Sequence, residues 1–353
     1  MYNYSNNDFG SDILGYDNIF LDWVTNEHSE IVTVHNFEDK EEMTKKAKEY
    51  YYPLFSDESH IEIFYNPQKD IITGLFISGL NNLNGFEIIG GLSGLTHLGI
   101  SNNNINGLPG SIGGLSNLAY LNVSSNNLNE LPASIGRLSD LAHLDISSNN
   151  LKELPEFIGD LSKLIFLDAS FNKLKDLPDS ISGLSKLASL RITGNRLNEL
   201  PGFIGSLPSL TILGLSGNRL NKLPGFLGHL SNLASLSISN TNLKELPEFI
   251  GGFSNLTHLD ASFNHINELP EFIGRLSNLT FLNLGNNKLK KLPSLLCKLS
   301  NLSLLDISRN NINELPECIG HLSNLAHLVI NNNNINELPE FIGGLSNLTF
   351  LGA

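Results

Sequence analysis

Hydrophobic positions recur with a fixed period of 23 residues from residue 95 onward. Each period follows the pattern L-x-x-L-x-I-x-x-N-x-I-x-x-L-P-x-x-I-G-x-L-S-x. A single unit of this size cannot bury its own apolar face, so the units must stack on one another. The pattern predicts a solenoid with eleven full copies over 95–347 and a truncated copy over 348–353. The copies begin at Leu95, Leu118, Leu141, Leu164, Leu187, Leu210, Leu233, Leu256, Leu279, Leu302, Leu325 and Leu348.

The first positions of each copy predict one short strand. Apolar residues at positions 4 and 6 alternate with other residues at positions 3 and 5, as expected for a strand with one face in the core. Stacked copies place these strands side by side in one parallel sheet, and the Leu-Pro pair restarts the chain on the outer layer. We expect the asparagine at position 9 to bond backbone groups where the chain turns inward. Thr241 replaces this asparagine in one copy, where we expect a local softening.

Residues 1–71 depart from the repeat and predict a small acidic α+β capping domain. The apolar residues over 72–94 match the repeat at both ends of the segment, which predicts a degenerate first copy and a solenoid domain over 72–353. The elements predicted near the N-terminus are a helix that begins at Asn36 and ends at Pro53, and strands over 31–35, 61–65 and 71–77.

Charge is spread unevenly along the chain. Residues 1–71 carry fifteen acidic and five basic residues, and the remainder carries twenty-one acidic and seventeen basic residues. This balance disfavours a phosphate backbone as ligand, so we expect no nucleic acid partner. The polar start of the chain lacks a secretory signal pattern, and no stretch has the length of a membrane span. We therefore expect a cytoplasmic protein.

Cys297 and Cys318 are the two cysteines of the chain. They are too few and too close to one end to staple 353 residues, which favours a reducing compartment and free thiols. Cys318 takes a position that phenylalanine fills in other copies, so we expect it to act as core filler.

The repeat residues quoted above resemble the 23-residue leucine-rich repeats of intracellular proteins, the Leu-Pro-x-x-Ile-Gly class of Ras-associated scaffolds, plant and amoebal signalling proteins, and effectors of intracellular bacteria. The resemblance covers residues 72–353. It implies an α/β solenoid, a leucine-rich-repeat horseshoe whose concave parallel β-sheet binds proteins. Residues 1–71 match no such family.

Bulky side chains recur at position 3, which with positions 2, 5, 7 and 8 should point to the concave face. A purely structural sheet has no packing reason for aromatic and imidazole side chains there, although descent from near-duplicate copies is an alternative explanation. Aromatic and arginine side chains beside carboxylates are typical of interface hot spots. The candidate protein-binding residues are Tyr120, His143, Asp145, Phe166, Asp168, Phe171 and Arg191 in a first group and His258, Asp260, Phe263, Phe281, Asp306, Arg309 and His327 in a second.

Catalytic and metal-binding patterns are lacking in the sequence. Asp145 and Asp168 should lie across neighbouring strands with Arg191 one copy further, which favours a structural ion ladder over a metal site. His97 and His143 should lie roughly 10 Å apart, too far to share a metal ion. No phosphate-binding loop, zinc-ligand spacing or nucleophile elbow occurs. We predict a non-enzymatic protein without cofactor or metal.

These observations predict a recognition module for a partner protein. The leading hypothesis is a bacterial effector that acts on a host signalling or ubiquitin-pathway protein after delivery into the host cytosol by a specialised secretion system. The alternative is an intracellular signalling scaffold for a small GTPase or phosphatase, and the third hypothesis is an enzyme that uses residues 1–71. The uncapped leucines of the last copy also predict an end-to-end homodimer.

Overall fold

The computed structural model describes residues 32–36, 60–66, 71–79 and 86–353. The chain divides into two compact units, Met1–Lys173 and Leu174–Ala353. The helix predicted between Asn36 and Pro53 lies outside the described residues. The proposed boundary between a capping domain and a solenoid at residue 71 stays a prediction.

The first unit contains seven described strands. β1 runs parallel to β2, β2 pairs antiparallel with β3, and each later strand runs parallel to the one before it. The strands predicted over 31–35, 61–65 and 71–77 are confirmed to within one residue. The strands are β1 (Val32–Asn36), β2 (His60–Asn66), β3 (Ile71–Ser78), β4 (His97–Gly99), β5 (Tyr120–Asn122), β6 (His143–Asp145) and β7 (Phe166–Asp168).

β3 joins the N-terminal strands to the repeats, because it pairs with a strand of each group. On one edge it forms an antiparallel ladder with β2, and on the other it pairs with β4 in the register Leu75↔Leu98. Leu75 therefore takes the place of the buried leucine at position 4. This register agrees with the alignment of the degenerate first copy.

The second unit contains eight strands, all of them parallel to their neighbours within the unit. The strands are β8 (Ser189–Arg191), β9 (Ile212–Gly214), β10 (Ser235–Ser237), β11 (His258–Asp260), β12 (Phe281–Asn283), β13 (Leu304–Asp306), β14 (His327–Val329) and β15 (Phe350–Gly352).

In both units the repeat strands pair with a register of one whole copy, as in Leu121↔Leu144 and Leu282↔Leu305. The residues at positions 4 and 6 are buried, for example Leu144 and Ile146 in the first unit and Leu282 and Leu284 in the second. In each unit the leucines therefore form the core on one side of the strands. The predicted fold class, a leucine-rich-repeat solenoid with a parallel sheet, is confirmed.

In each unit, the layer across the core from the strands consists of short 3-10 helices. Proline precedes most of them and keeps an extended backbone, with φ −67° and ψ 145° at Pro109. In the copy that contains Pro109, the amide of Ile112 donates to the Pro109 carbonyl and the Ile112 side chain is buried against the sheet. The helices are Phe86–Gly91, Gly110–Gly114, Ala133–Arg137 and Glu156–Asp160 in the first unit, and Asp179–Gly183, Gly202–Ser206, Gly225–His229, Glu248–Gly252, Glu271–Arg275, Ser294–Lys298, Glu317–His321 and Glu340–Gly344 in the second.

Neighbouring 3-10 helices approach closely where position 19 of one copy meets position 17 of the next. A Cβ added to Gly251 would lie 3.0 Å from the Phe272 Cβ, and one added to Gly228 would lie 3.0 Å from the Phe249 Cβ. The close approach explains why glycine fills position 19 in most copies.

The expectation of two free cysteines is wrong, because Cys297 and Cys318 form a disulfide with a Cα–Cα distance of 5.8 Å. Cys297 stands at position 19 of its copy and Cys318 at position 17 of the next, so the packing described above brings them together. Both residues are half-buried, and the prediction of Cys318 as core filler is therefore also wrong. Disulfides persist mainly in oxidising surroundings, so the cysteines no longer favour a reducing compartment.

The asparagines at position 9 bond backbone groups, as predicted, and some of these bonds also link consecutive copies. Asn149 donates through Nδ2 to the carbonyls of Val123, one copy earlier, and of Ile146 in its own copy, at 3.0 and 3.1 Å. Its Oδ1 accepts from the Leu128 amide at 3.0 Å. This single buried side chain therefore satisfies backbone groups of two neighbouring copies.

Thr241 replaces only part of this bonding. Its hydroxyl donates to the Ile238 carbonyl at 2.7 Å, as an Asn side chain would, but it does not extend to the preceding copy. There the Asn221 amide donates to the Thr241 main-chain carbonyl instead, at 2.9 Å, and Asn221 adopts a positive φ of 58°. The threonine thus changes the path of the neighbouring backbone, and the predicted local softening stays a prediction.

Candidate protein-binding surface

In each unit, the side of the strands opposite the leucine core carries the side chains of positions 3 and 5, because residues alternate along a strand. We call this side the open face. Position 3 of the described copies holds mostly rings, and none of the candidate rings is fully buried in the hydrophobic interior. The candidate residues therefore lie where a partner can reach them.

In the first unit the position-3 rings form a continuous stack across four strands. The ring centroids are 5.8 Å apart between His97 and Tyr120, 4.6 Å between Tyr120 and His143, and 4.0 Å between His143 and Phe166. The angle between successive ring planes falls from 24° to 14° to 7° along this series. The sheet spacing of about 4.8 Å is close to a ring-stacking distance, so the register alone aligns these rings.

Tyr120 is half-buried within the stack. The pKa of Tyr120 is raised to about 12, mainly by burial; the Asn122 amide, which donates to the phenol oxygen at 3.4 Å, lowers this pKa, and the nearby Asp145 carboxylate raises it. The phenol is therefore neutral at any physiological pH. It can offer a partner a hydrogen bond but no charge.

The sequence did not single out Phe76, which lies at the N-terminal end of the stack. Its ring packs edge-on against Phe64 at 5.5 Å and lies 6.3 Å from the Tyr120 ring. Gly99 leaves room for it, since a Cβ on Gly99 would lie 2.5 Å from the Phe76 ring. Position 5 holds glycine in this copy and asparagine or aspartate in the next three copies. This difference was the sequence signal that could have pointed to Phe76.

The aspartates at position 5 have a structural role in addition to any binding role. Asp145 and Asp168 are cross-strand partners, as predicted. Each accepts a hydrogen bond through Oδ1 from the amide two residues later, that of Ser147 or Ser170, at 2.9 Å. These bonds end the strands and fix the carboxylates in place. Arg191, the third member of the predicted ion ladder, lies on β8 in the second unit and is half-buried.

Phe171 differs from the rest of the first group in backbone and exposure. It stands at position 8, where every described copy has a positive φ, and its own φ is 54°. Bulky residues rarely adopt this left-handed region. Asparagine, serine or glycine fills position 8 in the other copies of this unit, whereas Phe171 is 61% exposed.

The second unit carries a less regular row of position-3 residues. His258 and Phe281 stack with their ring centroids 5.8 Å apart, Leu304 follows, and His327 and Phe350 are 6.2 Å apart and tilted. The register confirms that these residues occupy consecutive strands. The stack of the first unit is therefore not repeated in full.

The remaining residues of the second group repeat the arrangements of the first. Asp260 and Asp306 accept from the amides of Ser262 and Ser308 at 3.1 and 2.8 Å. Phe263, which is 58% exposed, and Arg309 stand at position 8 with φ of 53° and 51°. Both units thus place bulky side chains at position 8, where the backbone is left-handed. In both units one of them is a phenylalanine that is exposed to solvent.

The described part of the chain contains no group of three or more His, Cys, Asp or Glu side chains placed to hold a metal ion. Every helix in that part is too short or too polar to cross a lipid bilayer.

The fold and this surface define a class of protein: a stacked repeat protein in which each copy gives one strand to a parallel sheet with an accessible face. Family models agree with this class. "Leucine-rich repeat region" matches residues 135–213, "Leucine rich repeat" matches 81–128 and 208–266, "Leucine Rich repeats (2 copies)" matches 254–297, and "Leucine Rich Repeat" matches 301–322.

A leucine-rich-repeat protein of Leptospira interrogans is 31% identical, with a TM-score of 0.58, over 75% of this chain and 80% of that one. The chain belongs to the leucine-rich-repeat proteins. Domains of this family are protein–protein interaction modules and typically non-enzymatic scaffolds.

Other solved structures share the fold. The Arabidopsis receptor kinase HAESA, in a complex with the peptide hormone IDA and the co-receptor SERK1, is 28% identical with a TM-score of 0.67, over 77% of this chain and 48% of that one. The chain thus spans about half the length of that receptor chain. An internalin of Listeria monocytogenes is 24% identical with a TM-score of 0.66, over 80% of this chain and 88% of that one, and this likeness concerns the fold alone. Among curated proteins, none matches.

Proposed function

We propose that this protein recognises a partner protein through the open face of its sheet. The observation that carries the proposal is the ring stack of the first unit, with Phe171 exposed beside it. Aromatic side chains that are fixed by their neighbours lose little conformational entropy on binding, and such residues are enriched at interface hot spots.

Energetics support the same reading. Phe171 keeps a large apolar side chain in water and a strained backbone region, and neither stabilises the free protein. Covering the exposed part of such a ring contributes about 2 to 3 kcal/mol to a complex. A binding role explains why phenylalanine stands where asparagine, serine or glycine suffices in other copies.

For the biological setting we propose a bacterial effector that acts on a host signalling or ubiquitin-pathway protein. The likeness to the Leptospira protein supports a bacterial setting. An intracellular scaffold for a small GTPase or phosphatase is the alternative, and an enzyme that uses residues 1–71 is the third candidate. A reporter assay for translocation into cultured host cells distinguishes the first two, and a turnover assay on the full chain tests the third.

The binding surface is tested by comparing the proteins captured from host lysate by the wild type and by the double variant Phe166→Ala, Phe171→Asp. Aspartate tolerates the left-handed region of Phe171 better than phenylalanine does, so the second change does not strain the backbone. We expect the double variant to lose the specifically captured protein.

Phe157→Ala is the matched control, since Phe157 lies in the 3-10 layer of the same unit and not on the open face. It should capture the same protein as the wild type. Unaltered capture by the double variant, with a thermal unfolding curve like that of the wild type, would refute the assignment of this surface.

The end-to-end homodimer stays a prediction. Phe350 and Leu351 on β15 are exposed and can contribute apolar area to such a contact. Sedimentation of the wild type and of Leu351→Asp over a range of concentrations tests it, and a monomer at all concentrations would contradict it.

A further inference from the structure

We propose that the exposed surface of the second unit around Phe263, where the chain turns after each strand, binds an extended acidic peptide segment that carries an aromatic side chain. The proposal rests on the proposed function and adds the chemistry of the ligand. The patch consists of Phe263, His265, Lys288 and Arg309.

Backbone strain marks two members of this patch. Phe263 and Arg309 have φ of 53° and 51° at position 8, where glycine or asparagine fills the other copies of the unit. Both side chains are exposed, so packing does not repay the strain. Position 8 thus holds an unfavoured residue type in two of three consecutive copies. This indicates that the two side chains serve to bind a ligand.

Unpaired cations mark the same place. Lys288 stands at position 10 of the copy between those of Phe263 and Arg309, and it is exposed. Among the described residues, the side chains of Lys288 and Arg309 form neither an ion pair nor a hydrogen bond, and neither does the His265 ring at position 10 of the Phe263 copy. These cationic and polar groups keep their full capacity to donate to a ligand.

The aspartates at position 5 of the Phe263 and Arg309 copies form no ion pair with these cations. Asp260 already accepts from the amide and hydroxyl of Ser262 at 3.1 and 2.7 Å, and Asp306 accepts from the Ser308 amide. The bonds hold both carboxylates close to the strand ends from which they come. The cations therefore face solvent, where an anionic ligand can approach.

The spacing fits an extended peptide. Phe263 and Arg309 are separated by two copies, which is about 10 Å at the usual distance between neighbouring strands. Three residues of extended chain cover about 10 Å. A short segment can therefore place an aromatic ring against Phe263 and a carboxylate at Arg309 or Lys288.

Charge complementarity selects the sign of the ligand. The chain has a formal net charge of −14, so the protein as a whole repels an acidic segment. Such a segment gains favourable electrostatic energy only where cations are exposed and unpaired. A basic segment has no comparable partner within this patch.

The test measures the fluorescence anisotropy of labelled random copolymers with the full chain. The acidic probe contains glutamate and tyrosine, and the basic probe contains lysine and tyrosine. We expect Lys288→Glu combined with Arg309→Glu to weaken binding of the acidic probe about tenfold, and added salt to reduce the difference from wild type. Phe263→Asn, which relieves the strained backbone, should weaken the same probe about fivefold through loss of the ring contact.

The control is Lys290→Glu combined with Lys291→Glu, which makes the same change in net charge at exposed positions outside the patch. It should weaken the acidic probe less than about twofold. Equal losses in the patch and control variants overturn the proposal, and so does equal or tighter binding of heparin, a polyanion without aromatic rings. Loss of a captured partner from the Phe166→Ala, Phe171→Asp variant together with unchanged probe binding in the patch variant leaves the proposed function standing and removes this inference alone.

Discussion

Replacing Phe171 by asparagine should remove the proposed binding side chain at almost no cost in stability. Phe171 is 61% exposed, so roughly 40% of a ring-bearing side chain of about 200 Å² is covered by the protein. At about 25 cal/mol per Å², losing this contact costs at most about 2 kcal/mol. The left-handed backbone at a φ of 54° costs a bulky residue about 1 to 2 kcal/mol, much of which asparagine recovers. The two effects oppose each other, and the net change should lie within about 1 kcal/mol.

Chemical denaturation of wild type and Phe171→Asn measures this difference. Leu167→Ala, four residues earlier and fully buried, is the control and should cost about 3 to 5 kcal/mol. Capture of the partner protein should fall for Phe171→Asn despite its intact fold. A destabilisation above about 2 kcal/mol would refute the reasoning, because Phe171 would then belong to the core and not to a binding surface.

Three further predictions concern stability and ionisation. Thr241→Asn should raise the free energy of unfolding by about 1 kcal/mol in chemical denaturation, because it restores a hydrogen bond to the preceding copy. A free energy of unfolding below that of the wild type would show that the backbone near Asn221 cannot adopt the path that it has in the other copies. Cys318→Ser should lower it by about 3 kcal/mol, the effect expected for opening a loop of this length, provided that mass spectrometry of the wild type finds the disulfide; free thiols there would contradict the pairing. Absorbance titration of wild type minus Tyr120→Phe should place the Tyr120 transition near pH 12. Because the folded state holds this proton more tightly, the stability from Tyr120 is present below pH 10 and is lost as the pH rises through 12, and a transition near pH 10 would show that the phenol is not enclosed.

The 23-residue period predicted most of the fold because each copy repeats the contacts of the one before it. Once Leu121 and Leu144 occupy the same position, the register of their strands follows, and so does the stacking of Tyr120 on His143. The binding role of the predicted residues is a separate matter, since the same geometry arises whether or not a partner exists.

The features that sequence reasoning missed depend on contacts between different positions of neighbouring copies. The disulfide requires knowing that position 19 meets position 17 of the next copy, and the separation of 21 residues between Cys297 and Cys318 follows from that offset. The strain at Phe171 requires the backbone angle of position 8, although the run of Asn, Ser and Gly at that position was a usable signal. Phe76 lies in the degenerate copy, where the pattern is weakest.

The asparagine ladder gives the stack a direction. The side chain of Asn149 accepts from Leu128 of the copy before it, and Asn310 accepts in the same way from Leu289, so each copy closes the backbone of its predecessor. If one copy is deleted, the position-11 amide of the preceding copy loses its acceptor. The bond is restored only if the asparagine of the following copy takes the same place. Shortening or lengthening the array should therefore be tolerated only in whole multiples of the period.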